Sequence, residues 1–293
     1  MGIVRSGDAP VTGAIESPPA GPAVLFCPAD RPDRYDKALN RSDVVIIDLE
    51  DAVAPERKLT AREILRGAIR QLPPERTVVR INALRTTEGQ ADLAMLTDSG
   101  LRFLMLPKAE SAEDVADLQP WRIIALCETA RGVQAADSIA AAENCVALMW
   151  GGEDLTADIG GWSSRRADGR YLPHVTYARS RVLLAAGAAR VQAWDGVYHA
   201  LDDLDGLRSE CADAVAMGFA AKVAIHPTQV PEIRAAYRPT EAQEGWAARL
   251  LATVAANGAG VASFEGRMVD GPLIAMAERI AARTKAAENE ENK

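Results

Sequence analysis

The residues with chemical potential in this chain sit where apolar runs end. VVII is followed by Asp48, Glu50 and Asp51, IIALC by Glu128, and CVALMW by a GGED segment holding Glu153 and Asp154. TVVRIN carries Arg80 and Asn82, FLMLP runs into Lys108, QAWDGVY carries Asp195, and KVAIH ends at His226. Singly, each has a plain use: Asp154 could cap a helix, Glu128 could sit in a first turn, Lys108 could form a rim salt bridge, and His226 could be a hydrogen-bonded structural residue. Asp195 could orient a loop. Together they predict one polar rim. Carboxylates gathered there repel one another unless a cation or guanidinium lies between them. Hard oxygen donors select Mg²⁺ or Mn²⁺ over zinc, and no thiolate or histidine cluster argues otherwise. Magnesium takes one or two protein carboxylates, and Glu128 and Asp154 are the natural pair. Arg80, inside an apolar strand, needs an anionic partner or an anionic substrate.

Basic residues supply a second signal. CPADRPDRYDKA (27–38) spaces Arg31, Arg34 and Lys37 three apart, which puts them on one face of a loop and first helical turn. SSRRADGR (163–170) forms a second cluster. Both are expected to open onto the rim and to receive a phosphate-bearing cofactor or substrate. No P-loop pattern accompanies them.

Positioning such groups around one rim requires a particular scaffold. Eight short apolar runs, at 23–27, 44–49, 77–82, 103–107, 123–127, 145–150, 192–198 and 222–226, alternate with helical patterns such as 58–72 and 207–219, the latter capped by Gly218. Most are continuous, as in strands buried on both faces. The pattern predicts an α/β fold, a TIM (β/α)₈ barrel whose functional groups lie at the C-terminal ends of its strands. An open doubly wound sheet is the competing architecture, and the absence of GxGxxG after the first strand weakens its dinucleotide-binding form. The expected organisation is a flexible arm over 1–21, the barrel over 22–239, and a helical extension over 240–293, with fraying in the final AAENEENK.

The chain of 293 residues suits one such barrel, and 48% apolar residues with only 5% aromatics suit aliphatic strands under Ala-rich helices. A net charge of −8 argues against non-specific binding of nucleic acid or anionic membranes. Cys27, Cys127, Cys145 and Cys211 form no CxxC pair and read as buried free thiols. With neither a signal-peptide pattern nor a membrane-length apolar run, the expected location is the cytoplasm.

LFCPADRPDRYDKA, VVIIDLEDAV, VVRIN, LPKAES, ALCETARGV, MWGGEDLTADIG, IHPTQV and FEGRMVDGP occur in this order over about residues 23–285. The combination resembles the citrate lyase β-subunit-like family, with its citryl-, malyl- and citramalyl-CoA lyases, within the HpcH/HpaI aldolase superfamily. The resemblance implies a TIM barrel with C-terminal helices, assembled as homotrimers or hexamers, that uses Mg²⁺ to cleave or form a C–C bond between an acyl-CoA and a 2-keto acid such as oxaloacetate, pyruvate or glyoxylate. It implies Glu128 and Asp154 as metal ligands, with Glu128 also near substrate, and Arg80 at the keto-acid end. It implies coenzyme A contacts at Phe26, Arg31 and Lys37, with which Lys108 is grouped. Asp48, Glu50 and Asp51 match a DLED motif behind the metal, and Asp270 matches an acid/base that enters a neighbouring subunit's site. A thioesterase acting on the same esters, an aldolase acting on free acids, and a non-catalytic, partner-dependent subunit are the alternatives.

Overall fold

The computed structural model describes residues 18, 19, 21–257 and 263–291. The expected N-terminal arm lies outside these residues, apart from 18, 19 and 21. The barrel opens with β1 (Ala23–Pro28), α1 (Tyr35–Arg41), β2 (Val44–Asp48), α2 (Lys58–Ala68), β3 (Thr77–Arg80), α3 (Thr87–Leu96) and β4 (Phe103–Leu106). It continues through α4 (Ala112–Ala116), β5 (Arg122–Cys127), α5 (Ala130–Gln134), α6 (Ala136–Ala140), β6 (Cys145–Trp150), α7 (Gly152–Asp158) and α8 (Pro173–Ala189). It closes with β7 (Gln192–Asp195), α9 (Leu204–Met217), β8 (Ala221–Ala224) and α10 (Gln229–Tyr237). The eight barrel strands are parallel, and β1 pairs with both β2 and β8, so their sheet is a closed barrel in sequence order. This is the TIM barrel expected from the sequence.

Strand alternation divides the core in two. Val24, Ile46, Val78, Met105, Ile124, Leu126, Met149, Trp194 and Val223 point inward and fill the barrel. Their sequence neighbours, such as Leu25, Ile47, Val79, Leu104, Ala125 and Leu148, point outward and pack under the helices. The expected helix over 58–72 is α-helical only to Ala68 and tightens into a 3₁₀ turn through Gln71. Gly218 ends α9 in the left-handed region, at φ 106°, where a side chain would be strained.

The chain then forms α11 (Glu241–Asn257), a short hairpin of β9 (Ser263–Phe264) and β10 (Arg267–Met268), and α12 (Gly271–Glu291). The last helix runs further than expected, into the segment predicted to fray. Ala247, Leu250 and Ala277 form a small apolar cluster of this unit's own, joined by Trp246 and Phe264. Arg283 connects it to the barrel by donating to the Phe219 carbonyl at 3.4 Å and lying 5.5 Å above the Tyr237 ring. Among the described residues, no helix is long and apolar enough to cross a membrane.

Candidate active site

The acidic turn after β2 is built around Arg80. Asp48 and Arg80 face each other in register on β2 and β3. The guanidinium donates to both Asp48 oxygens, at 2.7 and 2.6 Å, in a buried bidentate pair. Asp48 also accepts the backbone N–H groups of Glu50 and Ala52, at 2.9 and 3.0 Å. Its oxygens are thus committed, and Asp48 holds Arg80 and shapes the turn. Glu50 lies 3.2 Å from Arg80 and accepts from Lys108 at 2.6 Å. Burial raises the Glu50 carboxyl above its ordinary pKa, against the opposing pull of Arg80 and Lys108. Asp51 is 3.7 Å from Arg80 and its side chain is 59% exposed, so it is the freest carboxylate of the three. The Arg80 guanidinium also lies 4.6 Å over the Phe26 ring.

Glu128 follows β5 and is buried. Asp154 lies in the first turn of α7, after the adjacent strand β6. Burial, then repulsion from Asp154 and Glu50, pushes the Glu128 carboxyl up to about 8. Gly151 makes room for it: a Cβ there would lie 2.9 Å from Glu128 Oε2. Lys108 adopts a left-handed backbone, φ 50°, and its N–H donates to Glu128 Oε1 at 3.1 Å. Its ammonium lies 3.8 Å from Glu128 and 3.7 Å from Asp154.

Five carboxylates, of Asp48, Glu50, Asp51, Glu128 and Asp154, therefore surround two cationic groups, Arg80 and Lys108. This excess of negative charge around a buried Glu128 suits a divalent cation. Among the described residues, no group of three or more His, Cys, Asp or Glu side chains is arranged to hold a metal. A two-carboxylate set of Glu128 and Asp154 fits magnesium, which keeps several positions for water and substrate oxygens.

A cavity of about 750 Å³ opens above the barrel. Asp48, Asp51, Arg80, Glu128, Glu153 and Asp154 line one side, and Phe26, Arg31, Arg34, Lys37 and Arg41 line another. The first basic cluster thus reaches the cavity as expected, extended by Arg41, although Arg31 also pairs with Asp33 at 3.0 Å. The second does not: Arg165 is held by Glu210, at 2.7 Å, and by the Tyr171 ring, while Arg170 pairs with Asp168. No arginine of that cluster is among the cavity-lining residues. Lys108 and Glu50 lie beside the cavity rather than in its lining, and Lys108 serves as a bridge among carboxylates. Asp195 faces outward, between the barrel wall and helices, where it accepts from Arg179, Lys222 and Trp150. His226 is on the cavity wall, its Nδ1 2.8 Å from Thr228 Oγ1. Asp270 lies outside its own chain's cavity and accepts the Leu273 N–H at 3.1 Å, capping α12.

Sequence reasoning missed the supports beneath the acidic turn. Lys58 donates to the Leu49 and Glu50 carbonyls, at 2.7 and 2.6 Å. Asn82 donates to the Leu49 carbonyl and to the buried Asp92, at 2.9 and 2.7 Å. Asn82 stood out as a polar residue at a strand end, whereas Lys58, at a helix start, carried no signal.

A closed parallel barrel with its polar groups and its cavity at the C-terminal rim is the class that this architecture defines. Residues 23–227 match the HpcH/HpaI aldolase/citrate lyase family, and the chain belongs to it. It is similar to a citrate lyase subunit beta-like protein of Mycobacterium tuberculosis, at 49% identity over 271 residues, 92% of this chain and 98% of the relative. A (3S)-malyl-CoA thioesterase of Cereibacter sphaeroides is 32% identical over 280 residues, 90% of this chain and 94% of the relative. The crystal structure of protein CitE from M. tuberculosis, in complex with magnesium, acetoacetate and coenzyme A, superimposes with a TM-score of 0.86 at 50% identity, covering 91% of this chain and 98% of that one.

Proposed function

We propose that this chain is a magnesium-dependent C–C lyase that splits a 3-hydroxyacyl-CoA into a 2-keto acid and a shorter acyl-CoA. The observation that carries the reading is one cavity that joins the Glu128–Asp154 carboxylate pair and Arg80 to the basic face of Arg31, Arg34 and Lys37. Magnesium and coenzyme A in the similar CitE complex support both halves of it.

Glu128 and Asp154 hold the metal, which supplies Lewis-acid polarisation of the substrate's hydroxyl and carboxylate oxygens. Arg80, fixed by Asp48, receives the substrate carboxylate and steadies negative charge as the keto acid forms. Arg31, Arg34 and Lys37 bind coenzyme A phosphates, and that remote binding, with Phe26 beside it, places the reacting carbons. Asp51, the least committed carboxylate of the turn, accepts the hydroxyl proton. The C2–C3 bond then breaks, C3 becomes the keto carbon, and the bonding pair passes into the thioester enolate. Asp270 from a neighbouring copy in a homo-oligomer delivers a proton to C2, which completes the acyl-CoA. Operation in the cytoplasm belongs to the same reading.

The test is purified protein with Mg²⁺ and a panel of 3-hydroxyacyl-CoA esters, with keto acid and free thiol measured separately. The expected result is keto acid without extra thiol, abolished by EDTA and lowered at least about 10³-fold in Glu128→Ala. Thiol without keto acid would instead make the chain a thioesterase, the activity named for the C. sphaeroides relative. Turnover of free hydroxy-keto acids in place of the esters would make it an aldolase. No turnover by the folded, magnesium-loaded chain would point to a partner-dependent subunit.

A further inference from the structure

Lys108 has no part in the reaction set out above, yet its charge stands among the carboxylates of the rim. Its backbone lies in the left-handed region, φ 50°, where glycine is the usual occupant, so a long side chain kept there points to a use for it. The ammonium donates to Glu50 Oε1 at 2.6 Å and lies 3.8 Å from Glu128 Oε1 and 3.7 Å from Asp154 Oδ1. Those last two oxygens belong to the carboxylates assigned to the metal, so one cation stands beside both. Its anchor is firm. Glu50 is buried, lies 3.2 Å from Arg80, and its carbonyl accepts from Lys58 at 2.6 Å. The bond to Glu50 therefore keeps the ammonium near the pair. The charge of Arg80, by contrast, is matched by Asp48 in the bidentate pair.

Magnesium lies about 2.0–2.1 Å from its oxygen ligands, so an ion on these two oxygens would come within about 6 Å of the ammonium. Like charges at that range repel, and the partial exposure of Lys108 and Asp154, 37% and 40%, screens the repulsion without abolishing it. We infer that Lys108 is a resident counter-cation that sets how tightly the metal is held: it opposes magnesium at Glu128 and Asp154 and leaves the ion weakly bound and readily exchanged. This rests on the assignment of those two residues as metal ligands in the reading above, and adds the residue that tunes them. The charge is separable from the support that Lys108 gives Glu128. That support is the backbone N–H, which donates to Glu128 Oε1 at 3.1 Å and remains when the side chain is exchanged.

The test is calorimetric titration of Mg²⁺ into the full chain after EDTA treatment and dialysis. Lys108→Met keeps the unbranched stem and removes the charge. It is expected to bind Mg²⁺ at least about tenfold more tightly than the wild-type chain, the effect of removing one charge about 6 Å from a divalent ion in water-like surroundings. Lys108→Arg keeps the charge and is expected to stay closer to the wild-type affinity than to that of Lys108→Met. Affinity is read from the shape of the isotherm and the folded fraction from its stoichiometry, so partial unfolding does not imitate the effect. A residue that merely shaped the site would bind Mg²⁺ more weakly when replaced. Equal or weaker binding by Lys108→Met, with binding still lost in Glu128→Ala, would overturn the inference and leave the metal site intact. No binding by either the wild-type chain or Lys108→Met, or binding unchanged in Glu128→Ala, would overturn the metal site and this inference with it.

Discussion

At the scale of single residues, the site depends on groups that hold other groups. Arg80 is useful because Asp48 fixes it, and Glu128 can occupy its position because Gly151 has no side chain. A methyl group at residue 151 would contact Glu128 at 2.8–2.9 Å, closer than real Cβ atoms approach. Gly151→Ala is therefore expected to weaken Mg²⁺ binding at least about tenfold, a loss of ~1.4 kcal/mol, while the circular dichroism spectrum stays unchanged. Unaltered Mg²⁺ affinity by calorimetry would show that Glu128 can move aside without consequence. The identities of these rim residues were legible in the sequence, because charged residues at the ends of apolar runs are conspicuous. Their division of labour was not. Whether Asp48 is free or committed depends on its register with Arg80, a pairing between strands 32 residues apart.

At the scale of elements, all eight strands were readable, since parallel strands covered on both faces are continuous apolar runs. That continuity hides parity. An alternating strand announces which face is inside, but QAWD does not, so Asp195 read as a rim residue. Trp194 takes the inward position, and Asp195 points out toward α8 and α9. There it meets Lys222, at 2.9 Å, with neither side chain exposed. Burial alone would raise the Asp195 carboxyl and lower the Lys222 amine, but their mutual attraction, with Arg179 and Glu210, outweighs it. Asp195 is held below its ordinary value, so its contribution to stability is present above about pH 4 and is lost as pH falls. Lys222 is held above its ordinary value, so its contribution is present below about pH 10 and is lost as pH rises. Lys222→Met is expected to cost about 3–5 kcal/mol at neutral pH, by removing the buried cation that Asp195 and Glu210 share. In urea titrations that deficit should shrink as pH falls toward 4 and Asp195 takes up a proton. A deficit that stays constant with pH would mean that lost packing, rather than the ion pair, is responsible. The arginines of the second basic cluster were misplaced for a related reason: nothing in SSRRADGR reveals that Glu210, on α9, lies within reach of Arg165.

At the scale of the whole molecule, the helical extension has its own small core, and Asp270 stands at its edge rather than in the cavity. If the site is shared between copies, Glu128→Ala and Asp270→Asn chains, each inactive alone, should regain activity when co-expressed, because mixed oligomers contain some sites with both residues intact. Keto-acid release by the co-purified mixture is the measurement. No recovery would confine Asp270 to its structural role as the cap of α12. The basic lining of the cavity mouth has a kinetic consequence as well. The chain carries a net charge of −8, so an anionic thioester meets a repulsive overall field, against which Arg31, Arg34, Lys37 and Arg41 at the cavity supply a local attraction. Encounter should therefore be steered, with salt screening both the distant repulsion and the local attraction over about 8–10 Å. Raising the ionic strength should slow the association of coenzyme A esters in stopped-flow traces, and Arg34→Gln with Lys37→Gln should weaken that dependence, because less local attraction would be left to screen.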